Sequence, residues 1–194
     1  MGLVVQLGHH GRSCPYPSHH KRKFVVGHTN GYHEVDLTFC GCISPEDGIV
    51  HDWAQLMRHG WYPASRQRIT TAFTFRMLDF FQELTLQSKV SLYDFNRTLC
   101  RVTDNSGVRA CPVSEMMNGL RASSLTIRQN RYKQLAVVIR QWRNLTLLKR
   151  SGRGHDPSGI ETTSEGACVV ECAACPHPGR NLPADWFKAP PGTA

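Results

Sequence analysis

Apolar and polar side chains alternate along "KFVVGHTNGYHEVDLTF" (23–39), the period of a half-buried β-strand. Asn30-Gly31 sits between the two apolar runs and predicts a tight hairpin turn. With that turn, Thr29 faces Tyr32, His28 faces His33, Val26 faces Val35 and Phe24 faces Leu37. Phe24, Val26, Val35, Leu37 and Phe39 then share the core face, and Lys23, Asp36 and Thr38 share the other. Cys40 falls on this second, more polar face, and Cys42 joins it if the strand runs on.

The period changes from two to about 3.6 in the middle of the chain. In "TTAFTFRMLDFFQELTLQSK" (70–89), Phe73, Met77, Phe80, Phe81 and Leu84 recur at helical spacing. "SLYDFNRTLCRVTDNSG" (91–107) predicts a second helix with Leu92, Phe95, Leu99 and Val102 inward. Ser91 and Asp94 resemble a capping box, and Asn105-Ser106-Gly107 is a stop signal. "NRYKQLAVVIRQWRNLTLLKRSGRG" (130–154) predicts a third, with Tyr132, Leu135, Val138, Ile139, Trp142 and Leu145 as its buried stripe and Gly152 and Gly154 at its end. Such stripes are ordinarily core. Beyond His155-Asp156-Pro157 the pattern is loop-like, and the Pro/Gly-rich tail, 188–194, reads as disordered. The fold class expected is therefore α+β: an N-terminal hairpin or small sheet packed with about three helices.

Charge adds a second theme. The chain has 194 residues and a formal net charge of +8. Residues 121–153 hold nine Lys/Arg and no Asp or Glu, so this one segment carries the whole excess. Most of the nine are arginines, which suit phosphate recognition. Lys133, Arg140 and Arg143 lie within a ~80° arc of a helix, and Lys149, Arg150 and Arg153 continue the run. A nucleic-acid partner fits this balance; a solvated helix face is the simpler alternative. His155 and Asp156 would fix the turn after the run by a local hydrogen bond, with a plain solvated loop as the alternative. No apolar run is long enough to span a membrane. The opening "MGLVVQLGHHGRSC" has neither the basic lead nor the apolar stretch of a secretory signal, so a reducing compartment is expected, with cysteines free, catalytic or metal-bound.

The eight cysteines include two tight pairs, Cys40-x-Cys42 and Cys172-x-x-Cys175. Thiolates two apart on a strand, or three apart in a knuckle turn, can bite one ion from one side. Two such bites make a closed tetrahedral sulfur site, the arrangement of structural zinc. The predicted ion would clamp the hairpin to the C-terminal cysteine-rich loop, closing a long loop of chain. The rival for Cys172-x-x-Cys175 is a redox motif, which its Gly/Pro-rich setting, without a strand-then-helix pattern, disfavours. His9 and Cys14, joined by His10, His19, His20 or His28, could supply half of a second site, with Cys168 and His177 as its remote half. Cys100, one position after Leu99 on a helix, reads as an isolated core thiol. Phosphate-binding, serine-hydrolase and zinc-protease motifs are absent, and no carboxylate cluster suggests two-metal chemistry. An enzyme is not expected.

Several segments taken in order resemble one family: "LGH" (7–9) before Cys14-Pro15, "TNGYHEVDLTFCGC" (29–42), "WYPAS" (61–65), "LTLQSKVSLYDF" (84–95), "RYKQLAVVIRQWRNLTLLKRSGRGHDP" (131–157) and "CAACPHPGRNLPADW" (172–186). They are similar to the CxC-like cysteine-cluster domain associated with KDZ (Kyakuja-Dileera-Zisupton) transposases of fungi, over roughly 2–107 and 130–187. The resemblance implies one domain over 2–187. It implies a zinc-chelating region that precedes an RNase H-like catalytic domain, acts in the nucleus and helps to bind DNA or chromatin. By motif match it implies Cys40, Cys42, Cys172 and Cys175 as principal ligands. It also leaves open packing against the transposase catalytic domain or a second copy, and implies no small-molecule substrate. The chain departs from the pattern in three ways. It stops about where a catalytic domain should begin. It opens almost inside the cysteine cluster, without the further finger usual upstream. Residues 108–129 look like an insertion, of a length that a short retained intron would encode.

Overall fold

The computed structural model describes residues 3–9, 12–44, 48–104, 125–164, 166–168, 175–177, 179, 182 and 184–188. The chain divides into two compact units, Met1–Asn144 and Leu145–Ala194.

The first unit is built on a mixed five-stranded sheet of order β1-β3-β2-β7-β6. β1 (Leu3–Gln6) runs parallel to β3 (Gly31–Cys40), which pairs antiparallel with β2 (Pro17–His28). β7 (Thr71–Thr74) lies parallel to β2, and β6 (Trp61–Pro63) closes the far edge. Between them come a two-stranded ribbon, β4 (Ile43–Ser44) and β5 (Gly48–Ile49), and the short helix α1 (Asp52–Arg58). Three helices follow: α2 (Phe75–Ser88), α3 (Leu92–Thr103) and α4 (Leu125–Arg150). The fold is α+β, as the two periods predicted.

The hairpin forms with a different register from the predicted one. His28 pairs with Gly31, so Thr29-Asn30 is the turn; Val26 pairs with His33 and Phe24 with Val35. Gly31 explains the choice. It sits at φ 120°, and a Cβ there would meet the Thr103 hydroxyl at 2.5 Å. The offset from the predicted pairing is two residues, so the side-chain faces are unchanged. Phe24, Val26, Val35, Leu37 and Phe39 do share one buried face, packed with Leu7, Leu56, Ile69 and Ala72. Two bulges in β2 then slide the pairing, to Lys21↔Leu37 and finally Pro17↔Cys40. At one bulge Lys23 takes φ 53°, and its N–H donates to the Asp36 carboxylate at 3.0 Å.

The opposite face of the sheet carries the larger core. Val25, Tyr32 and Phe73 pack there against Met77, Leu78 and Phe81 of α2, Phe95 and Leu99 of α3, and Leu135, Val138, Ile139 and Trp142 of α4. Phe73, assigned above to a helix, belongs to β7. The helix starts after Thr74, whose hydroxyl accepts from the Met77 N–H. The predicted cap on α3 is present: the Ser91 hydroxyl accepts from the Asp94 N–H at 3.1 Å. Val102 is exposed, so the α3 stripe is narrower than predicted, as is that of α2, where Phe80 is exposed. The Cys100 thiol is buried and disulfide-bonded, which corrects its reading as an isolated thiol. The stripe of α4 is buried through Trp142 but not at Leu145, which is 38% exposed. α4 begins at Leu125, so 125–129 of the presumed insertion are helical, while 108–124 and the stop signal at 105–107 lie outside the described residues.

The second unit holds the end of α4 and three short 3-10 turns, Arg153–His155, Ile160–Thr162 and Trp186–Lys188. No helix among the described residues is long and apolar enough to cross a membrane.

Candidate metal centre

β3 ends at Cys40, and three neighbours deliver ligands to that end. Parallel pairing sets Gln6 beside Thr38, and the Leu7 N–H donates to the Thr38 carbonyl at 2.9 Å. The chain leaving β1 therefore passes Cys40, and His9 Nε2 comes to 3.2 Å from Cys40 Sγ. On the other side the bulges bring Pro17 opposite Cys40, and the Gly41 N–H donates to the Tyr16 carbonyl at 2.8 Å. This draws in Cys14, with its sulfur 3.6 Å from both Cys40 Sγ and Cys42 Sγ. Cys42 Sγ is also 3.5 Å from His9 Nε2. All four ligand atoms lie within 4.8 Å of one another.

These separations fit one tetrahedral ion. Two sulfurs bound at ~2.3 Å with tetrahedral angles stand about 3.8 Å apart, and a sulfur and an imidazole nitrogen about 3.6 Å. Three thiols and one imidazole are also the donor types that zinc and other soft or borderline metals select. A four-ligand set of this kind leaves no open position for water, the arrangement of structural rather than catalytic sites. The thiols are electrostatically crowded. Burial raises the Cys14 thiol, but hydrogen bonds from the Tyr16 and Gly41 backbone and from Cys40 and Cys42 outweigh it and bring the pKa to about 7. Burial, then Cys14 and Cys40, push Cys42 up to about 11. Ionising one thiol thus opposes ionising the next, and a cation at the centre relieves that conflict while releasing protons.

The surroundings hold the ligand loop in shape. Gln55 of α1 is 5% exposed, and its side chain brackets the Cys40 peptide. It accepts from the Cys40 N–H at 2.9 Å and donates to the carbonyls of Cys40 at 2.8 Å and Val50 at 3.0 Å. The Cys42 N–H points at Cys40 Sγ, 3.3 Å away, a contact that stabilises a thiolate. Gly8, at φ 90°, packs against the cluster: a Cβ there would lie 2.7 Å from Cys40 Cβ. Gly41 is needed for closeness of approach, since a Cβ would sit 2.9 Å from the Tyr16 carbonyl oxygen.

The pair Cys40-x-Cys42 therefore belongs to a cluster that could hold a metal ion, with His9 and Cys14 completing the set. The predicted partners Cys172 and Cys175 belong to the second unit. Cys172 lies outside the described residues, and Cys175 is exposed. Cys168 and His177 are half-buried in the second unit. The alternatives weighed for the N-terminal half are engaged elsewhere: His19 with Asp52 at 3.0 Å, His20 with the Thr38 hydroxyl at 3.0 Å and His28 with the Thr74 hydroxyl at 2.8 Å. His10 lies outside the described residues.

The basic positions divide by environment. Lys133, Arg140 and Arg143 of α4 are exposed, as are Lys149 and Arg150 in its last turn. Arg153 is tied to Asp156 at 3.0 Å, and Asp156 also accepts from the Ser158 N–H and hydroxyl, a local lock on the turn. These bonds hold the Asp156 carboxyl below the usual value, the Ser158 bonds foremost.

Fold and site together define a small α+β module with a Cys3His cluster that could hold a metal ion. The family model described as "CxC2 like cysteine cluster associated with KDZ transposases" matches residues 1–107, more than half of the chain, and the chain belongs to that family. The matched segment contains all four clustered ligands. No curated protein and no solved structure matches the chain.

Proposed function

We propose that this chain is a zinc-binding, non-catalytic accessory module of a KDZ-type transposase, and that it contributes to DNA binding in the nucleus. The ion would be structural, held by His9, Cys14, Cys40 and Cys42, and would fix the N-terminal loop against the sheet. The observation that carries the DNA reading is the exposed cationic stripe of Lys133, Arg140 and Arg143 on α4. Lys149 and Arg150 add charge near the helix end, and Arg153 adds least because Asp156 already holds it. Contacts of this kind neutralise phosphates and give affinity with little sequence reading.

The test is binding of the metal-loaded chain to duplex DNA across a salt series. Affinity should fall linearly on logarithmic axes, by about 0.9 per phosphate neutralised, and Arg140→Ala should lower that slope by about one contact. Absence of binding at low salt with the metal in place would refute this reading. It would favour the second one, a protein-interaction module that packs on the transposase catalytic domain or on another subunit through the same arginines.

A further inference from the structure

A groove of about 420 Å³ opens between the C-terminal half of α2, the Lys89–Leu92 turn and α4. Three cations line it, Lys89, Arg140 and Arg143, and no carboxylate does. Lys89 stands at the left-handed end of α2 with φ 52° and ψ 30°. Among the described residues neither the Lys89 nor the Arg140 side chain has a hydrogen bond or an ion pair. Arg143 is held in place: its Nη2 donates to the Thr85 hydroxyl at 3.1 Å, and its guanidinium lies 5.9 Å from the centre of the Phe81 ring. Apolar side chains share the lining with the cations, among them Val90, Leu92, Ile139 and the half-buried Tyr132.

We infer that this groove seats an unpaired nucleotide of a single DNA strand, its phosphate among the three cations and its base on the apolar floor. The inference rests on the DNA reading above and sharpens it. The volume lies in the range of pockets that take one small ligand. A duplex keeps its bases stacked, so it would bridge the concavity with phosphates and leave the apolar floor wet. A single strand turns its bases out, and proteins that bind one pair a cationic track with an apolar or aromatic platform. Three cations over one shallow apolar seat match a chain that carries a charge on every residue. An amphipathic acidic helix brings the opposite balance, a long apolar stripe with charges only at its margin.

Fluorescence anisotropy of the full metal-loaded chain tests this with three probes: oligo(dT) of about twelve nucleotides, a duplex, and an acidic amphipathic peptide. Ala136→Phe fills the groove and keeps every charge. Tyr132→Ala empties it. Both should weaken oligo(dT) about tenfold, the cost of losing one base-stacking contact, and leave duplex affinity within about twofold and the melting temperature nearly unchanged. Arg140→Ala should weaken both nucleic acids. Duplex binding with oligo(dT) insensitive to Ala136→Phe and Tyr132→Ala overturns the groove and leaves the DNA reading standing. Peptide binding that Ala136→Phe abolishes, without oligo(dT) binding, also overturns it. Failure of both nucleic acids at low salt overturns the DNA reading itself.

Discussion

The two faces of the central sheet are stabilised by different physics. On one, Val25, Tyr32 and Phe73 meet three helices, and aromatic rings such as Phe81 and Phe95, 4.6 Å apart, fill the space. On the other, a thinner layer around Phe24, Leu37 and Phe39 is covered by Leu7, one short helix and Ile69. Beyond the end of that layer stands a knot of thiols and an imidazole. The helical face holds itself by apolar contact. The thinner face ends in groups that oppose one another without a cation, where a bound metal ion would hold the last segment together.

The largest effect that could break this comparison is ligand removal. Metal held by such sites contributes on the order of 10 kcal/mol of folding free energy, comparable with the whole stability of an ordinary domain. Cys14→Ser should lose one ion per chain by elemental analysis and unfold at markedly lower temperature. Retention of full metal content would show that the cluster is not the site. The same measurement on Cys172→Ser separates the two pairings. If Cys172 serves a different ion or none, its effect on metal content adds to that of Cys14→Ser. If the double variant loses only the ion that each single variant loses, one ion spans both pairs.

Phe81→Ala should come next, costing about 3–5 kcal/mol by opening a cavity in the helical core. Metal content should stay at the wild-type level after refolding, because Phe81 packs on the opposite face from the cluster. Metal loss in parallel with destabilisation would mean that the two faces are not independent. Ser91→Ala should cost about 1 kcal/mol through the lost cap on α3, read as a shift in the denaturation midpoint with unchanged slope.

The smallest expected effect is a pH dependence. His28 lies below the ordinary imidazole value through burial, with Arg76 and His33 adding to it, and His59 does so through burial. The unfolded chain takes up these protons first. Their contribution is therefore complete above about pH 6.5 and is lost as the pH falls through and below that value. Protonation of the metal ligands acts in the same range, so the informative quantity is a difference. The His28→Gln/His59→Gln variant should lose less stability than wild type between pH 7 and 5. Equal loss would remove both histidines from the account.

Hydrophobic period made the helical face legible before any coordinates. Leu135, Val138, Ile139 and Trp142 are buried as their spacing requires, and Ser91 caps α3 as its spacing to Asp94 suggests. The missed elements are short. β6, β7 and α1 have three, four and seven residues, too few for a period to declare itself. Phe73 mimicked a helical position because strand and helix meet there without a loop. At the metal centre Cys40 and Cys42 were legible from chemistry alone, and His9 and Cys14 stood out only as a weaker group. What hid their partnership was geometry. A regular hairpin about Asn30-Gly31 would carry residue 17 well past Cys40; the move of the turn to Thr29-Asn30, together with two bulges around 18–19 and 22–23, brings Pro17 beside it. Bulges of this kind are set by local strain and by contacts such as Lys23 with Asp36, not by an apolar pattern.

Gly8 gives the cluster a vulnerable position with no donor atom. Any side chain there would press on Cys40 Cβ, in a backbone conformation that other residues rarely adopt. A random-mutagenesis screen for lost metal should therefore return Gly8 beside the four ligands, a residue whose role is to occupy no space.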